Sequence, residues 1–411
     1  MGDSLDQEFT NLIADANLDP RPIYARLRDE APVYRTPLDF WYVTSYEAAK
    51  EVARDAGAFS SDPNNGAGAV DTSGRPATMP DSPAIQLLRR LVLFVDPPDH
   101  TRLRKLVSRV FTANRTLTRR GFIDEVIQKE LDGIAGRRQV EFVRDFALEF
   151  PTRVILTLVG IDPALAHHFI EGAESMIMLN DAGKRTEERV EAAAKLEATA
   201  NLVAQLADEV SAKPHDDTLF KLLTEANEEG DKLTRDEVVA MVLLLVVAGH
   251  ETTAYTLSSS MYHLLNNPQE LDLLRTDPSV YPTAIEELLR YDAAARHTVA
   301  RWAIQDVVLG DVTIRKGETV FGSLQAADHD PAVFDNPLKL DLRRHPNPHI
   351  AFGWGAHLCV GAPLARLELE LALRAILDRT TMVALASDGV EWRDSFTIRG
   401  PRRLPLEWDL E

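Results

Sequence analysis

The only cysteine of the chain, Cys359, lies in a glycine-rich segment and is the first candidate for chemistry. A single thiol cannot form an internal disulfide, a multi-cysteine zinc site or an iron–sulfur cluster. It can be a buried core thiol, a nucleophile or a single thiolate ligand. Gly353, Gly355 and Gly361 let the backbone approach a flat ligand and turn N–H groups toward the sulfur, where they stabilise a thiolate. Pro363 then opens a helical pattern whose N-terminus also favours an anion.

A second set of polar residues interrupts a long apolar pattern that predicts a helix over 235–266. The interruption reads Ala248-Gly249-His250-Glu251-Thr252-Thr253. Acid and hydroxyl groups after a glycine are inconsistent with an ordinary buried helix, and such inconsistencies are expected at functional sites. The alternative is that Glu251 lies on an exposed flank. The Thr252 hydroxyl can bond to a carbonyl one turn back and open the helix.

A third candidate is a basic helix that follows a turn signal at residues 96–98. His100 and Arg104 lie four apart in it and therefore share a face. The simpler interpretation is a solvated basic helix, which we prefer for its other cations, Arg102 and Lys105. On these residues alone the helix identifies no ligand.

The composition excludes several classes of protein. The net charge is −19, whereas a general nucleic-acid binder needs clustered cations. Residues 1–15 are polar and acidic, unlike a signal peptide, and the longest apolar run, 238–248, is too short to span a bilayer. We therefore expect a cytoplasmic protein that uses no membrane. No linker divides the chain, so we expect one domain over 1–411, with a mobile surface loop at 66–83.

The elements that must position these residues are mostly helical. The periodicity predicts helices at 20–28 and 46–56, after residue 99, in pairs over 122–160 and 163–212, and from residue 363. Short antiparallel strands are expected at 33–35, 41–43, 307–309, 312–314 and 319–321, with a further small sheet region at 390–408. The predicted fold class is mainly α with small antiparallel β regions.

Residues 352–361 resemble the haem-binding loop of the cytochrome P450 monooxygenases, Phe-Gly-x-Gly-x-His-x-Cys-x-Gly, at all six specified positions. The resemblance implies the cytochrome P450 fold, a triangular helical prism with a long central helix. It implies haem b as cofactor, with Cys359 as the axial ligand of the iron. Further cofactor contacts are implied for Phe352, Gly353, His357 and Gly361.

The run from 248 to 253 resembles the oxygen-binding groove of the same family, Ala-Gly-x-Glu/Asp-Thr-Thr. The resemblance implies that Ala248 leaves room above the iron. It implies two catalytic residues: Thr252 would hydrogen-bond dioxygen, and Glu251 would relay protons from solvent.

Two more family motifs occur in the expected order. Residues 96–104 resemble a helix whose histidine and second arginine bind the haem propionates, here His100 and Arg104, and Arg301 matches a third propionate-binding position. Glu287 and Arg290 match a Glu-x-x-Arg pair that is a structural lock beneath the haem. An i,i+3 pair of this kind contributes little when exposed.

Three positions depart from the family pattern. Residues 292–295 read Asp-Ala-Ala-Ala where a proline is usual, in a segment that lines the pocket of relatives. Residues 328–331 read Asp-His-Asp-Pro in place of Asn-Arg-Asp-Pro, and Trp354 is bulky at a variable position. The pocket shape near residue 293 is therefore not predicted.

The function implied is a haem-thiolate monooxygenase that activates dioxygen to hydroxylate or otherwise oxidise a hydrophobic small molecule, as in secondary metabolism. No dinucleotide-binding or flavin segment is found, so electrons must come from a ferredoxin or flavodoxin with its reductase and NAD(P)H. Arg366 and Arg374 follow the Cys loop and suggest a basic docking face. A soluble monomer of the bacterial type is expected.

Two alternatives remain open. The same haem scaffold could perform oxidative coupling or peroxide-driven oxidation without oxygen insertion, although an intact Glu251–Thr252 pair argues against a dedicated peroxide user. A non-enzymatic haem or ligand carrier would leave the groove idle. Substrate-pocket candidates, which an ordinary apolar core also explains, are Val92, Phe94, Leu244, Val247, Ala248, Ala294, His297, Phe396 and Thr397. His297 either meets a polar substrate group or faces a strand.

Overall fold

The computed structural model describes residues 2–66, 82–110, 113–181, 184–212, 218–228, 231–386 and 389–410. Helices dominate these ranges. They are α1 (Gly2–Ala14), α2 (Arg21–Glu30), α3 (Tyr46–Arg54), α4 (Pro83–Leu88), α5 (Asp99–Val110), α6 (Ala113–Thr118), α7 (Arg120–Ile134), α8 (Glu149–Val159), α9 (Ala166–Asn180), α10 (Thr186–Ala212), α11 (Leu219–Glu225), α12 (Arg235–Leu265), α13 (Pro268–Thr276), α14 (Tyr281–Asp292), α15 (Leu324–Ala327) and α16 (Ala362–Arg379).

The strands are short and form small sheets. They are β1 (Val33–Arg35), β2 (Trp41–Val43), β3 (Phe59–Ser60), β4 (Gln139–Glu141), β5 (Asn227–Glu228), β6 (Asp231–Lys232), β7 (Arg301–Ala303), β8 (Val307–Leu309), β9 (Val312–Ile314), β10 (Thr319–Gly322), β11 (Val383–Leu385), β12 (Glu391–Trp392), β13 (Pro401–Arg403) and β14 (Pro405–Trp408). One sheet has the order β1-β2-β10-β7-β3, a second has β11-β14-β4, and the remaining strands pair as β5-β6, β8-β9 and β12-β13.

The central helix α12 organises the core. Thr234 and Glu237 form a capping box at its N-terminus. It packs against α8, α9, α10, α14 and α16. By length and composition α12 could cross a bilayer, but 83% of its most apolar window is buried within the protein, as expected for a core helix.

Two further core helices position the candidate residues: α16 follows the Cys359 loop, and α14 carries the Glu287–Arg290 pair. α16 has Pro363 in its first turn and buries Leu364, Leu367, Leu371 and Ile376, whose spacing places them on one face. α14 buries Glu287 and Arg290 together with its apolar residues. Both helices contact α12, so the Cys loop and the polar run of α12 lie on facing elements.

Most predicted elements are confirmed, and the differences have physical causes. The 33–35 and 41–43 strands form the predicted antiparallel hairpin. β10 runs antiparallel to β7 but parallel to β2, so the expectation of only antiparallel pairing was wrong there. Parallel pairing joins segments far apart in sequence, which local patterns do not reveal. The loop expected at 66–83 falls mainly on residues 67–81, outside the described residues.

Candidate active site

The Cys359 loop lies between the irregular segment after α15 and the start of α16. Gly353 and Gly355 have left-handed backbone, with φ of +77° and +72°. A side chain at Gly355 would lie 3.0 Å from the backbone of α3. The Cys359 N–H donates to the Phe352 carbonyl at 3.0 Å and closes the loop. These glycines therefore allow the close packing that fixes the position of the sulfur.

The Cys359 sulfur faces a cavity from deep within the fold. Cys359 is exposed by surface area, and it lines the cavity, so its accessible surface faces inward rather than bulk water. Burial raises the pKa of the thiol above its usual value, whereas the N–H groups of Gly361 and Ala362 and the Arg104 guanidinium act in the opposite direction. The predicted amide donors are present, but burial outweighs them in the free thiol.

The cavity has a volume of about 840 Å³. Its walls come from α12, α16, the Cys loop and the segment 293–302, and its roof from α4, α9 and α10. The lining along α12 and the roof is mainly apolar. A space of this size, with a sulfur at one wall, is suited to a large flat cofactor together with an apolar ligand.

One end of the cavity gathers two arginines and two histidines. Arg104, Arg301 and His357 line it, and the ring of His100 lies 4.2 Å from that of His357. Within the described part of the chain, neither arginine forms an ion pair with a carboxylate, and His100 Nε2 has no hydrogen-bond partner. Arg104 donates to the Leu358 carbonyl and Arg301 makes a long 3.4 Å contact to its neighbouring carbonyl at residue 300.

Burial disfavours the charged forms of this cluster, and an anionic partner would stabilise them. Burial, then Arg301, His100 and Arg104, lower the pKa of His357 to about 2. Burial lowers the pKa of Arg301 to about 10, with partial compensation from Asp96. Paired carboxylates such as haem propionates would accept hydrogen bonds from these side chains. The residues present are therefore suited to bind haem.

The opposite wall is the polar run of α12. The Thr252 hydroxyl donates to the Ala248 carbonyl at 2.7 Å, the predicted bond one turn back. Ala248, Gly249 and Thr252 all line the cavity. A side chain at Gly249 would meet Ile155 at 3.1 Å, so the small residue also serves the packing of α8 on α12. This wall leaves room beside an exposed hydroxyl.

Glu251 lies behind that wall. It is 1% exposed, so the alternative of an exposed flank was wrong. Its Oε2 lies 3.5 Å from the Arg393 guanidinium and has no hydrogen-bond partner among the described residues. Burial raises the pKa of Glu251 to about 7, although Arg393 opposes the shift. A carboxyl of this kind can take up and release a proton near neutral pH.

The Glu287–Arg290 pair is buried completely. Its two bonds are 2.7 and 2.8 Å, and Arg344 also donates to Glu287, at 3.0 and 3.1 Å. The Asp341 N–H adds a fifth contact to the same carboxylate at 3.0 Å. The pair therefore fixes α14 to the irregular segment that leads to the Cys loop.

One assignment in the basic helix α5 needs correction. Arg102 was expected to be solvated, but it forms a double contact with Glu237 in the capping box of α12. The charge therefore joins α5, which carries His100 and Arg104, to the start of α12. The partner is distant in sequence, so helix periodicity did not indicate it.

The structure brings most pocket candidates together. The cavity is lined by Val92, Phe94, Leu244, Val247, Ala248, Ala294, His297 and Thr397. Phe396 is not among the lining residues. Its ring packs against Phe9, Phe40 and Tyr42 in the core beside α1 and α2.

His297 presents little polarity to the cavity. Its Nδ1 donates to the Thr298 carbonyl at 2.8 Å, its Nε2 is buried, and its ring lies 4.5 Å from that of Phe396. Burial lowers the pKa of His297 to about 4, so the ring is neutral at pH 7. The geometry favours the interpretation in which His297 faces a strand. Binding of a polar substrate group by His297 stays a prediction.

Sequence reasoning missed Glu368 in α16. This carboxyl is 1% exposed, lines the cavity and lies beside Thr253. Burial raises the pKa of this carboxyl well above its usual value, and the hydrogen bond with Thr253 opposes the shift. Its spacing could have indicated this position, because Glu368 lies four residues after Leu364 and therefore on the apolar face of the helix.

The departures from the family pattern have local explanations. Burial would raise the pKa of Asp292, but the hydrogen bond from His263 at 2.8 Å and nearby cations lower it to about 2. Burial raises the pKa of Asp328 to about 7, and its carboxyl accepts the Ile350 N–H at 2.7 Å. Trp354 is 40% exposed beneath the Lys50 ammonium, which lies 4.6 Å from the ring centroid.

Comparison with known proteins is consistent with this geometry. A family model described as cytochrome P450 matches residues 175–277 and 279–394. Cytochrome P450 107B1 of Saccharopolyspora erythraea is 38% identical over 93% of this chain and 93% of its own length. The 6-deoxyerythronolide B hydroxylase of the same organism is 35% identical, over 94% of this chain and 95% of its own.

The fold also matches solved structures. P450BioI in complex with an acyl carrier protein ligated to hexadec-9Z-enoic acid superposes with a TM-score of 0.86 and 32% identity. The match covers 95% of this chain and 98% of that one.

Proposed function

The chain belongs to the cytochrome P450 family, and we propose that its cofactor is haem b, held through the Cys359 thiolate. The protein is a haem-thiolate monooxygenase that oxidises a hydrophobic small molecule, and its relatives include hydroxylases of secondary metabolism. A haem iron with a thiolate ligand supplies the activation of dioxygen. The observation that carries the proposal is a sulfur facing a cavity, with unpaired cations at one end and a polar helix wall opposite.

The cationic end would bind the cofactor carboxylates. Arg104 and Arg301 would form charge-assisted hydrogen bonds with them, and His100 and His357 would complete the cluster. Phe352, Gly353 and Gly361 would support the proximal side through the loop backbone. These contacts would offset the cost of burying the two guanidinium groups, so cofactor binding would stabilise the protein.

The α12 wall would handle protons. Thr252 would hold a proton at Oγ1 within the cavity, and Ala248 would leave space for dioxygen. Glu251 would pass protons from the solvent side, because its carboxyl is buried and titrates near neutral pH. The apolar lining of the roof would exclude bulk water during the reaction.

Electrons would come from a ferredoxin or flavodoxin with its reductase and NAD(P)H. Arg366 and Arg374 are already paired, with Glu286 at 2.6 Å and with Glu370 at 3.0 Å. Each pair reduces the positive charge of this face, so the docking surface is only weakly basic at these positions. Charge reversal at both arginines that left electron transfer unchanged would count against this docking face.

The organisation of the chain follows from the same proposal. We propose one domain over 1–411, acting as a monomer in the cytoplasm. Its largest apolar cluster runs from Ile85 to Leu410, so early and late segments share a core. A second cluster joins α1 and α2 to Phe321 and Phe396.

Isotope labelling tests the monooxygenase activity. The purified protein would be supplied with a surrogate ferredoxin chain, ¹⁸O₂ and a panel of hydrophobic natural products. We expect a product that carries one labelled oxygen atom. Product without label would instead support oxidative coupling, and the absence of any turnover with a ligand that binds would support a carrier.

A further inference from the structure

The partner of Glu251 comes from the C-terminal part of the chain. Arg393 Nη2 lies 3.5 Å from Glu251 Oε2, and Arg393 Nη1 donates to the Tyr255 hydroxyl at 2.6 Å. The guanidinium carbon lies 5.0 Å from the centre of the Tyr255 ring. Arg393 is therefore held by Tyr255, one turn along α12. It lies close to Glu251 but does not form a hydrogen bond with it.

Arg393 is also fixed through its backbone. Its N–H donates to the Gly400 carbonyl at 2.9 Å, next to the β12–β13 pair. A side chain at Gly400 would lie 2.5 Å from Tyr255 Cβ, so the turn lies directly against α12. The hydrogen bond to Gly400 therefore holds Arg393 in a turn that packs against α12.

The residues after Arg393 connect it to the roof of the cavity. Asp181, at the end of α9, accepts hydrogen bonds from the Ser395 hydroxyl at 2.6 Å and from the Phe396 N–H at 2.8 Å. Lys184 lies 3.0 Å from the carboxylate of Asp394. The connection between α9 and α10 and the 393–396 segment therefore share polar contacts.

The same connection reaches the ligand space. Arg189 of α10 lines the cavity and donates to the Asp181 carbonyl at 2.9 Å. A chain of contacts thus runs from the cavity roof through Asp181 and Ser395 to Arg393 and Glu251. Such a chain transmits a change only if its elements have more than one arrangement, which an experiment must establish.

We propose that Arg393 is the positioning residue for Glu251, and that ligands that fill the roof of the cavity adjust its hold on Glu251 through Asp181 and Ser395. The inference rests on the proposed function, because it assigns Glu251 to proton transfer. It deepens that function by coupling occupation of the substrate space to the proton affinity of the relay acid.

The other charged groups around Glu251 fit this role. Burial and the exposed Glu174 of α9 raise the pKa of Glu251, and Arg393 lowers it, with a result of about 7. Burial lowers the pKa of the adjacent His250 to about 4, and its Nδ1 donates to the Val246 carbonyl, so it is neutral. Arg393 is thus the cation that balances Glu251 within the described residues.

Infrared difference spectroscopy of the haem-containing protein tests the first part. The band of the protonated Glu251 carboxyl is assigned by its loss in Glu251→Gln and is then titrated with pH. Arg393→Met keeps a long side chain on Tyr255 but removes the charge, so we expect the midpoint to rise by about one pH unit or more. Arg393→Lys should give an intermediate midpoint.

A matched control separates this effect from a general loss of charge. Arg403→Met removes a cation from the same β12–β13 pair and should leave the midpoint unchanged. An unchanged midpoint in Arg393→Met, or an equal rise in the control, would overturn the role of Arg393. If Arg393→Met fails to fold, the neutral Arg393→Gln takes its place, and an unchanged midpoint in that variant would overturn the role as well.

Two iron-binding probes test the link to the roof. N-dodecylimidazole places a long chain in the cavity, whereas imidazole does not reach the roof. We expect the long probe alone to move the Glu251 midpoint, and Ser395→Ala to abolish the difference between the probes. Equal midpoints with both probes in the unmodified protein would contradict the link.

Failure of the coupling to the cavity roof can be distinguished from failure of the proposed function. Probe binding to haem is read from the visible spectrum, independently of the infrared band. If the band responds as expected but Glu251→Gln leaves product formation unchanged, the relay assignment fails and the coupling stands. If the band does not respond while turnover needs Glu251, the coupling alone fails.

Discussion

At the scale of single residues, the chemistry depends on polar groups placed where the surroundings are apolar. Cys359, Thr252 and Glu251 were predicted from local sequence, because glycine-rich loops and polar breaks in an apolar helix are visible in a short window. Glu368 and Arg393 were not predicted to act there. Arg393 meets Glu251 only through tertiary folding, and Glu368 lies on a buried face of α16 whose other residues are apolar.

The α12 wall provides the first prediction. Glu251→Gln should lower product formation by about 100-fold, because a neutral amide cannot donate and regain a proton. The loss of the carboxyl should also remove any pH dependence of turnover near 7. Steady-state rates across pH with a substrate from the labelling screen measure both effects, with carbon monoxide spectra to confirm equal haem content.

The hydroxyl of Thr252 is tested with a matched pair. Thr252→Ala should release more reduced oxygen as peroxide per electron consumed, because the proton held at Oγ1 is lost. Ser258→Ala removes a similar bond, from Ser258 to the Ala254 carbonyl, elsewhere in α12. Equal peroxide release by the two variants would exclude a special role for Thr252.

At the scale of elements, the buried Glu287–Arg290 pair joins α14 to the segment that leads to the Cys loop. Removing one partner from a buried ion pair typically costs about 3–5 kcal/mol. Glu287→Ala should therefore lower the free energy of unfolding by an amount in that range and reduce haem content, because Arg290 and Arg344 lose their partner. Denaturant unfolding measures the change.

An exposed pair serves as the reference for the lock. Asp208 and Arg235 form a bidentate pair at 2.7 and 2.8 Å on the surface. Asp208→Asn should leave unfolding almost unchanged, because exposed pairs contribute little. A Glu287→Ala variant that behaved like Asp208→Asn would refute the structural lock.

The Cys loop offers a prediction about backbone conformation. Gly355→Ala combines a positive φ with contacts of 3.0 Å to the backbone of α3, so it should displace the loop and lower haem occupancy. Gly389→Ala has φ of +79° but no atom within 4 Å of the added carbon. It should cost about 1 kcal/mol for the conformation alone, with normal haem content. Thermal unfolding and haem titration distinguish the two.

Element boundaries were predictable where the signal is local. The capping box fixed the start of α12, and Pro363 fixed the start of α16. The partner of β10 was not predictable, since its parallel neighbour β2 lies at the other end of the chain. The position of Phe396 was missed for the same reason: its partners belong to the N-terminal segments.

At the scale of the whole molecule, buried titratable groups set the pH dependence of stability. Burial lowers the pKa of His250 and His297 to about 4 and of His329 to about 3. As the pH falls from about 6.5 to about 4, the unfolded chain binds protons on these residues and the folded chain does not, so stability falls.

Glu251 and Asp328 act with the opposite sign. Their pKa values are raised to about 7, so the folded state binds protons first as the pH falls from about 7 to about 4, and stability gains. Glu251→Gln should therefore make the decrease in stability with falling pH steeper, and His329→Leu should make it shallower. Unfolding midpoints at pH 7, 6 and 5 measure both slopes, and parallel slopes in all three proteins would contradict these assignments.

The fold could be predicted from the sequence, whereas the substrate specificity could not. A cluster of family motifs in the right order predicted the fold, which the comparisons confirm. The cavity roof is built from α4, α9 and α10, whose apolar residues look the same in any helical core. The substrate therefore has to be found by binding experiments.

The most direct test of the central claim is the carbon monoxide spectrum of the reduced, purified protein and of Cys359→Ser. The sulfur of Cys359 faces the cavity as the sole thiol of the chain, so the unmodified protein should show the thiolate-type spectrum and the variant should lose it. A colourless protein that takes up no haem, or a variant that keeps the thiolate-type spectrum, would contradict the account.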